Sequence, residues 1–134
     1  MPAEIPYASI LVNNSSLNST NANIDNTLTA QTFTPGEGTS YQLGDYTNFY
    51  YTWYKSKSST IIKINNILND ENRTPEAKIR DIEDALKTAA IVVSEEAEDN
   101  STLKLTDSGY YCCKVTNRYG TTSSSYYTPV CTVI

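Results

Sequence analysis

Three cysteines carry the most reactive chemistry of this chain: Cys112 and Cys113, adjacent in the stretch LTDSGYYCCKVTNRYGTT (105–122), and Cys131 near the end. Thiols form disulfides, bind soft metals or attack substrates as thiolates. A Cys-only zinc site takes about four thiolates, more than the three cysteines here. A nucleophilic thiol or hydroxyl needs a base, and the chain has no His. That removes the commonest general base and the commonest transition-metal ligand. Paired carboxylates, as in glycosidases, are the remaining acid–base chemistry. The acidic run EEAED (95–99) lacks the spaced ligands of a calcium loop and reads as solvated charge. Asp107 stands in a D-x-G turn and reads as structural. The expectation is a protein that is not an enzyme, with no catalytic residues, no cofactor and no metal.

Composition limits the partners. The formal charge is −5 and the pI about 4.6, without a Lys/Arg cluster, so no nucleic acid is expected to bind through phosphate contacts. No stretch approaches the roughly 18 apolar residues of a membrane span. The opening MPAEIPYASILV has neither a basic nor an apolar signal region, so the chain is expected to stay where it is made if Met1 is the native start. Five N-x-Ser/Thr sequons begin at Asn13, Asn14, Asn18, Asn72 and Asn100. A chain this rich in Asn, Ser and Thr produces them by chance, so they decide nothing.

These residues must be positioned by strands. The 134 residues suit a single domain, 1–134, and the 11 Tyr favour half-buried sheet surfaces. Strands are expected at 5–12 and at 27–33, the latter with Leu28 and Ala30 on one face. A third is expected in FYYTWYKSK, with Phe49, Tyr51 and Trp53 on one face. STIIKINNIL reads as another strand, from its alternating Ile, and AIVVS (90–94) as a short one. The stretch 34–48 reads as a long loop. The chain closes with two strands, YYCCKVT and SSSYYTPVCTVI, around a turn at NRYG. One helix is expected at about 75–90. Thr74 caps it, Pro75 opens it, and Ile79, Ile82, Leu86 and Ala89 form its apolar stripe. Glu76–Arg80 and Glu83–Lys87 are the expected ion pairs on its outer side.

Seven or more short strands suggest a sandwich. Asp107-x-Gly109-x-Tyr111-x-Cys113 resembles the motif that enters strand F of immunoglobulin-like domains. Asn117 and Gly120 follow at the spacing of the F–G hairpin in intermediate-type members, and Trp53 is similar to the core Trp on strand C. The resemblance implies an all-β, immunoglobulin-like β-sandwich with a helix-containing insertion within about 56–100. It implies a tight turn at Asp107–Gly109 and a tyrosine corner at Tyr111. Strand alternation then turns Tyr111, Cys113 and Val115 inward, and Tyr110, Cys112 and Lys114 outward. Cys113 becomes the core cysteine. Its usual partner would stand near Leu28 or Ala30, neither of which is Cys, so no inter-sheet disulfide is expected. Cys131 is expected as a buried free thiol. With the hairpin turning near 118–119, Cys112 should face about residue 125.

Proteins similar in this way include bacteriophage capsid-decoration and head-surface proteins. The resemblance therefore implies a virion structural protein made in the host cytoplasm. It would be displayed on a head or tail, reinforce the shell or adhere to the host surface, and contact capsid or tail proteins or a host surface glycan. The alternative is a fragment of a cell-surface adhesion or receptor ectodomain, located outside the cell. The B–C and F–G loops of such a sandwich lie at one end, which makes Tyr41, Tyr46, Arg118 and Tyr119 the candidate contact patch. An edge strand, the first or the last, is a second route to assembly.

Overall fold

The computed structural model describes residues 5–13, 21–32, 48–119 and 121–134. The described chain is mostly β-structure in two sheets. β1 (Ala8–Val12) and β3 (Thr27–Thr32) pair antiparallel, and β6 (Thr102–Lys104) adds to the far side of β3. The second sheet runs β2-β9-β7-β4-β5. It is built from β2 (Asn21–Ala22), β9 (Cys131–Val133), β7 (Gly109–Tyr119), β4 (Phe49–Ser56) and β5 (Ile91–Ala97), and β8 (Thr122–Tyr127) also pairs with β7. The short β2 runs parallel to β9, and the long pairings of β7 with β4 and β8 are antiparallel.

The two-residue period sorts the larger sheet's side chains onto two faces. Trp53, Tyr111, Cys113 and Val115 face the smaller sheet and pack with Ile10, Leu28, Ala30 and Val133. Phe49 and Tyr51 border the same cluster, as their spacing predicts. The opposite face also carries a core. Cys112, Tyr127 and Val130 lie there under Ile61, Ile64, Ile82 and Leu86. Cys112 is therefore not turned to solvent. A helical layer covers it completely.

That layer leaves β4 at Ser56 and returns at Ile91, so 91–97 belongs to the sheet rather than to an insertion running to about 100. Part of the expected acidic loop, Glu95 and Glu96, is strand as well. The layer begins where STIIKINNIL was expected to be a strand. Instead a 3₁₀ turn (Ser59–Lys63) leads into α1 (Ile64–Leu68). The alternation of Ile loses to a three-residue spacing, because Ile61, Ile64 and Ile67 form one stripe onto the sheet. The Ser58 hydroxyl starts it by accepting from the Thr60 amide at 3.3 Å.

α2 (Pro75–Ala89) follows, with the Thr74 hydroxyl accepting from the Ala77 amide at 3.1 Å. Ile82 and Leu86 are its buried residues, with Ile79 beside them. Its expected ion pairs give way to others. Glu83 reaches the sheet at Lys114 (3.6 Å), Arg80 turns to Asp81 (3.3 Å), and Lys87 lies 4.0 Å from Asp84. No helix among the described residues is long and apolar enough to cross a membrane.

The last strand is broken. Pro129 has no N–H to give a ladder, and β8 and β9 flank it separately on β7. The gap is stitched by Thr128, whose hydroxyl accepts from the Cys113 amide and whose amide donates to the Cys113 carbonyl, each at 2.9 Å. From α1, the Asn65 side chain accepts from the Val130 amide at 2.8 Å. The hairpin pairs Tyr119 with Thr122 and Lys114 with Tyr127. Cys112 therefore lies opposite the Pro129 break rather than residue 125.

Candidate functional site

The strand-entry residues meet at one end of β7. The Tyr111 hydroxyl donates to the Asp107 carbonyl at 2.8 Å, closing a four-residue turn. Gly109 sits inside that turn at φ +145°, where an added Cβ would stand 3.1 Å from the Ser56 carbonyl oxygen. Asp107 also pairs through its carboxylate with Lys55 on β4. That hydrogen-bonded ammonium holds the Asp107 carboxyl below its ordinary range and, in return, Asp107 raises Lys55. A depressed carboxylate contributes above its unfolded pKa, and a raised ammonium below its own. The pair's contribution is therefore lost as pH falls through the Asp107 pKa or rises through that of Lys55. The pairing ties the turn to the next strand.

Trp53 is fully buried beside Cys113, and its indole N–H donates to the Asn100 carbonyl at 2.8 Å. Asn100 closes the β5–β6 turn. Its side-chain amide donates to Ser94 Oγ (2.6 Å), the Glu95 carbonyl (3.2 Å) and the Tyr51 carbonyl (3.3 Å). The sequon at Asn100 is thus a structural clamp. Asn13 is also committed, accepting from the Thr27 amide at 2.8 Å. Asn72 is exposed, and Asn14 and Asn18 lie outside the described residues.

Cys112, Cys113 and Cys131 are all free and all buried. Removal from water pushes the Cys112 thiol up to about 12 and that of Cys131 up to about 11, and raises Cys113 well above an ordinary thiol. The native protein is expected to react with no thiol reagent at pH 8 and to titrate three thiols once unfolded. A raised thiol pKa stabilises below the unfolded value and loses that contribution above it. Stability is therefore expected to fall as pH rises through 9, the unfolded thiol value. A denaturant titration with a thiol indicator checks both, and rapid labelling of native Cys112 would contradict them.

One member of the expected contact patch, Arg118, lies fully among the described residues. Tyr41, Tyr46 and Gly120 lie outside the described residues, and so does the Tyr119 side chain, although Tyr119 ends β7. Arg118 is exposed but held. Its guanidinium bonds Glu96 of β5 at 2.6 Å and stands 5.4 Å from the centre of the Tyr50 ring. Its amide donates to the Asn48 carbonyl at 2.9 Å, and the neighbouring Asn117 side chain accepts from the Asn48 amide at the same distance. Asn117 is fully buried, so the residue expected in the hairpin motif is a clamp on the entry to β4. The arrangement is a Tyr50–Arg118–Glu96 surface joining β4, β7 and β5. It can offer an aromatic face and a partly neutralised charge pair to a partner.

Lys55 and Asn100 were not among the expected site residues. Nothing local marks Lys55, and the sequon that begins at Asn100 gives no sign of its bonds to Tyr51 and Trp53 on β4. Among the described residues no group of three or more His, Cys, Asp or Glu side chains is gathered to hold a metal. No protein family, curated protein or solved structure matches the chain.

Proposed function

We propose that this chain is a non-enzymatic, immunoglobulin-like module displayed on a bacteriophage head or tail, where it reinforces the shell or adheres to the host surface. The immunoglobulin-like part is supported by the strand order, β1-β3-β6 facing β2-β9-β7-β4-β5, with Trp53 packed beside Cys113 across β4 and β7. The Tyr111 hydroxyl bond to Asp107 has the form of a tyrosine corner. The helical layer between β4 and β5 is this chain's departure from that plan. The observation that carries the virion reading is the set of three buried, unbridged thiols. A sandwich assembled with reduced thiols suits synthesis in a cytoplasm, and secreted sandwiches of this size usually carry a disulfide. The Tyr50–Arg118–Glu96 surface is the proposed contact with the shell or with a host glycan.

Mass spectrometry of purified particles tests the proposal. Peptides of this chain in stoichiometric proportion to the major shell protein are expected, and their absence overturns it. Intact mass of the native protein distinguishes the adhesion-ectodomain reading. Added hexose at Asn72, or a disulfide containing Cys113, would replace the virion reading with that one.

A further inference from the structure

We propose that β5 is a docking edge for a second copy of this chain, with two β5 strands pairing antiparallel about Val92. β5 ends the larger sheet, so one side of its backbone has no neighbouring strand among the described residues. Its first half is apolar and open, with Ile91 66%, Val92 47% and Val93 40% exposed. Edge strands are normally blunted by charge, proline, shortness or cover. The other described edges are shorter or less apolar where they are open. β6 is three residues long, β2 is two, β1 buries Ala8, Ser9 and Ile10, and the six-residue β8 buries Tyr126 and Tyr127 and is otherwise Thr and Ser. β5 has seven residues. Its second half is protected by Glu95, Glu96 and one register shift against β4, and a second shift falls at Val93, between the Val92 and Ser94 pairings, leaving Ile91 and Val92 in regular register with Lys55 and Tyr54.

The strand's own sequence selects a second copy. Antiparallel pairing centred on Val92 sets Ile91 opposite Val93, Val92 opposite Val92 and Ala90 opposite Ser94, with no charge in the ladder. Centring it on Glu95 would set that carboxylate against itself, and a parallel ladder in register would stack both glutamates on their copies, both unfavourable. The Val92 register also carries the acidic end of each strand toward the Lys57 and Lys87 end of its partner. Glu96 is already neutralised by Arg118, leaving Glu95 as the charge that finds new partners.

The surface beside the ladder is apolar with a charged rim. Val92 shares a groove of about 260 Å³ with Tyr54, Leu86 and Ala90, rimmed by Glu83, Lys87 and Lys114. On the other side, Ile91 lines one of about 380 Å³ with Ala89 and Ala90, beside Lys55 and Lys57. Two-fold pairing gives both copies the same contact, as closed dimers require. This inference does not depend on the virion reading.

The test is the mass of the full chain in solution across a concentration series. A ladder this short gives a weak dimer, dissociating at roughly 10–100 µM. The V92K variant is expected to weaken association at least about tenfold through like-charge repulsion at the two-fold. Its melting temperature should stay close to the parent's, because Val92 is only about half buried and a lysine stem can lie along the same groove with its ammonium in water. The V92C variant, oxidised with copper phenanthroline, is expected to form a covalent dimer. Facing Cβ atoms in an antiparallel pair lie about 4.5–5.5 Å apart. V93C faces Ile91 and should not. A monomeric parent at about 500 µM, well above the expected dissociation range, overturns the proposal. So does a V92K variant that associates like the parent, or crosslinking through V93C in place of V92C.

Discussion

Replacing Trp53 with alanine is expected to lower the unfolding free energy by about 3–5 kcal/mol, the range for deleting a large buried aromatic. A domain of this size is stable by only about 5–15 kcal/mol, so the variant sits near the edge of folding at room temperature. Two losses combine. The indole occupies the space between Cys113, Tyr51 and the smaller sheet, with none of its surface exposed. Deleting it leaves a cavity that the surrounding strands, held by their ladders, cannot close. Its N–H also satisfies the Asn100 carbonyl, the residue that closes the turn between β5 and β6. Trp53→Phe separates the two. It refills most of the volume but leaves that carbonyl without its donor, at a cost of about 1–3 kcal/mol. Urea melts of both variants check this. Equal midpoints for Trp53→Ala and the parent would mean that the two sheets are not held together through Trp53.

Why Trp53 was legible in the sequence, and Asn100 was not, follows from the range of the interactions. A two-residue period is a local property, so Phe49, Tyr51 and Trp53 could be assigned to one face, and Leu28 and Ala30 to another, before any strand was paired. The cap at Thr74 and Pro75 is equally local, and α2 falls where it predicts. The turn from Asp107 to Tyr111 is implied by the resemblance of that stretch to a known strand-entry motif, and it closes within four residues. The cross-strand partners of Lys55, Asn100 and Asn65 lie 52, 47 and 65 residues away, at Asp107, Trp53 and Val130, and no local pattern predicts those pairings.

The larger misreading concerns the second face of the sheet. Alternation turns Cys112 away from the first core, but it cannot say whether water or another layer lies there. The answer depended on STIIKINNIL, where an alternating and a three-residue reading of the same isoleucines compete. Once Ile61 and Ile64 commit to the sheet, α2 can lie over Cys112 and Tyr127, and the outward face becomes a core. The break at Pro129 was readable in principle. Proline has no N–H, and a continuous central strand through it would have left the ladder incomplete.

Gly109→Ala is expected to cost about 2–4 kcal/mol, a large effect for one added methyl group. At φ +145° an L-residue is strained wherever it stands. Here the space is also taken. The new Cβ would lie 3.0 Å from Lys55 Cε and 3.1 Å from the Ser56 carbonyl oxygen. The lysine stem can swing aside. The Ser56 backbone cannot, because β4 and β7 are laddered from Phe49–Asn117 to Ser56–Tyr110. Relief must come from moving Lys55, which loosens its pairing with Asp107, or from shifting the turn, which breaks the Tyr111 hydroxyl bond. The two routes differ in what a second substitution does. If the turn shifts, Tyr111→Phe added to Gly109→Ala costs little more, because the bond is already lost. If Lys55 moves, Tyr111→Phe costs about 0.5–1.5 kcal/mol in either background, the net value of one hydrogen bond. A double-mutant cycle measured by urea denaturation distinguishes them. We expect strong coupling, since the flexible lysine alone cannot clear the carbonyl of Ser56. A Gly109→Ala protein as stable as the parent would mean that the turn does not hold the left-handed backbone on which the entry into β7 depends.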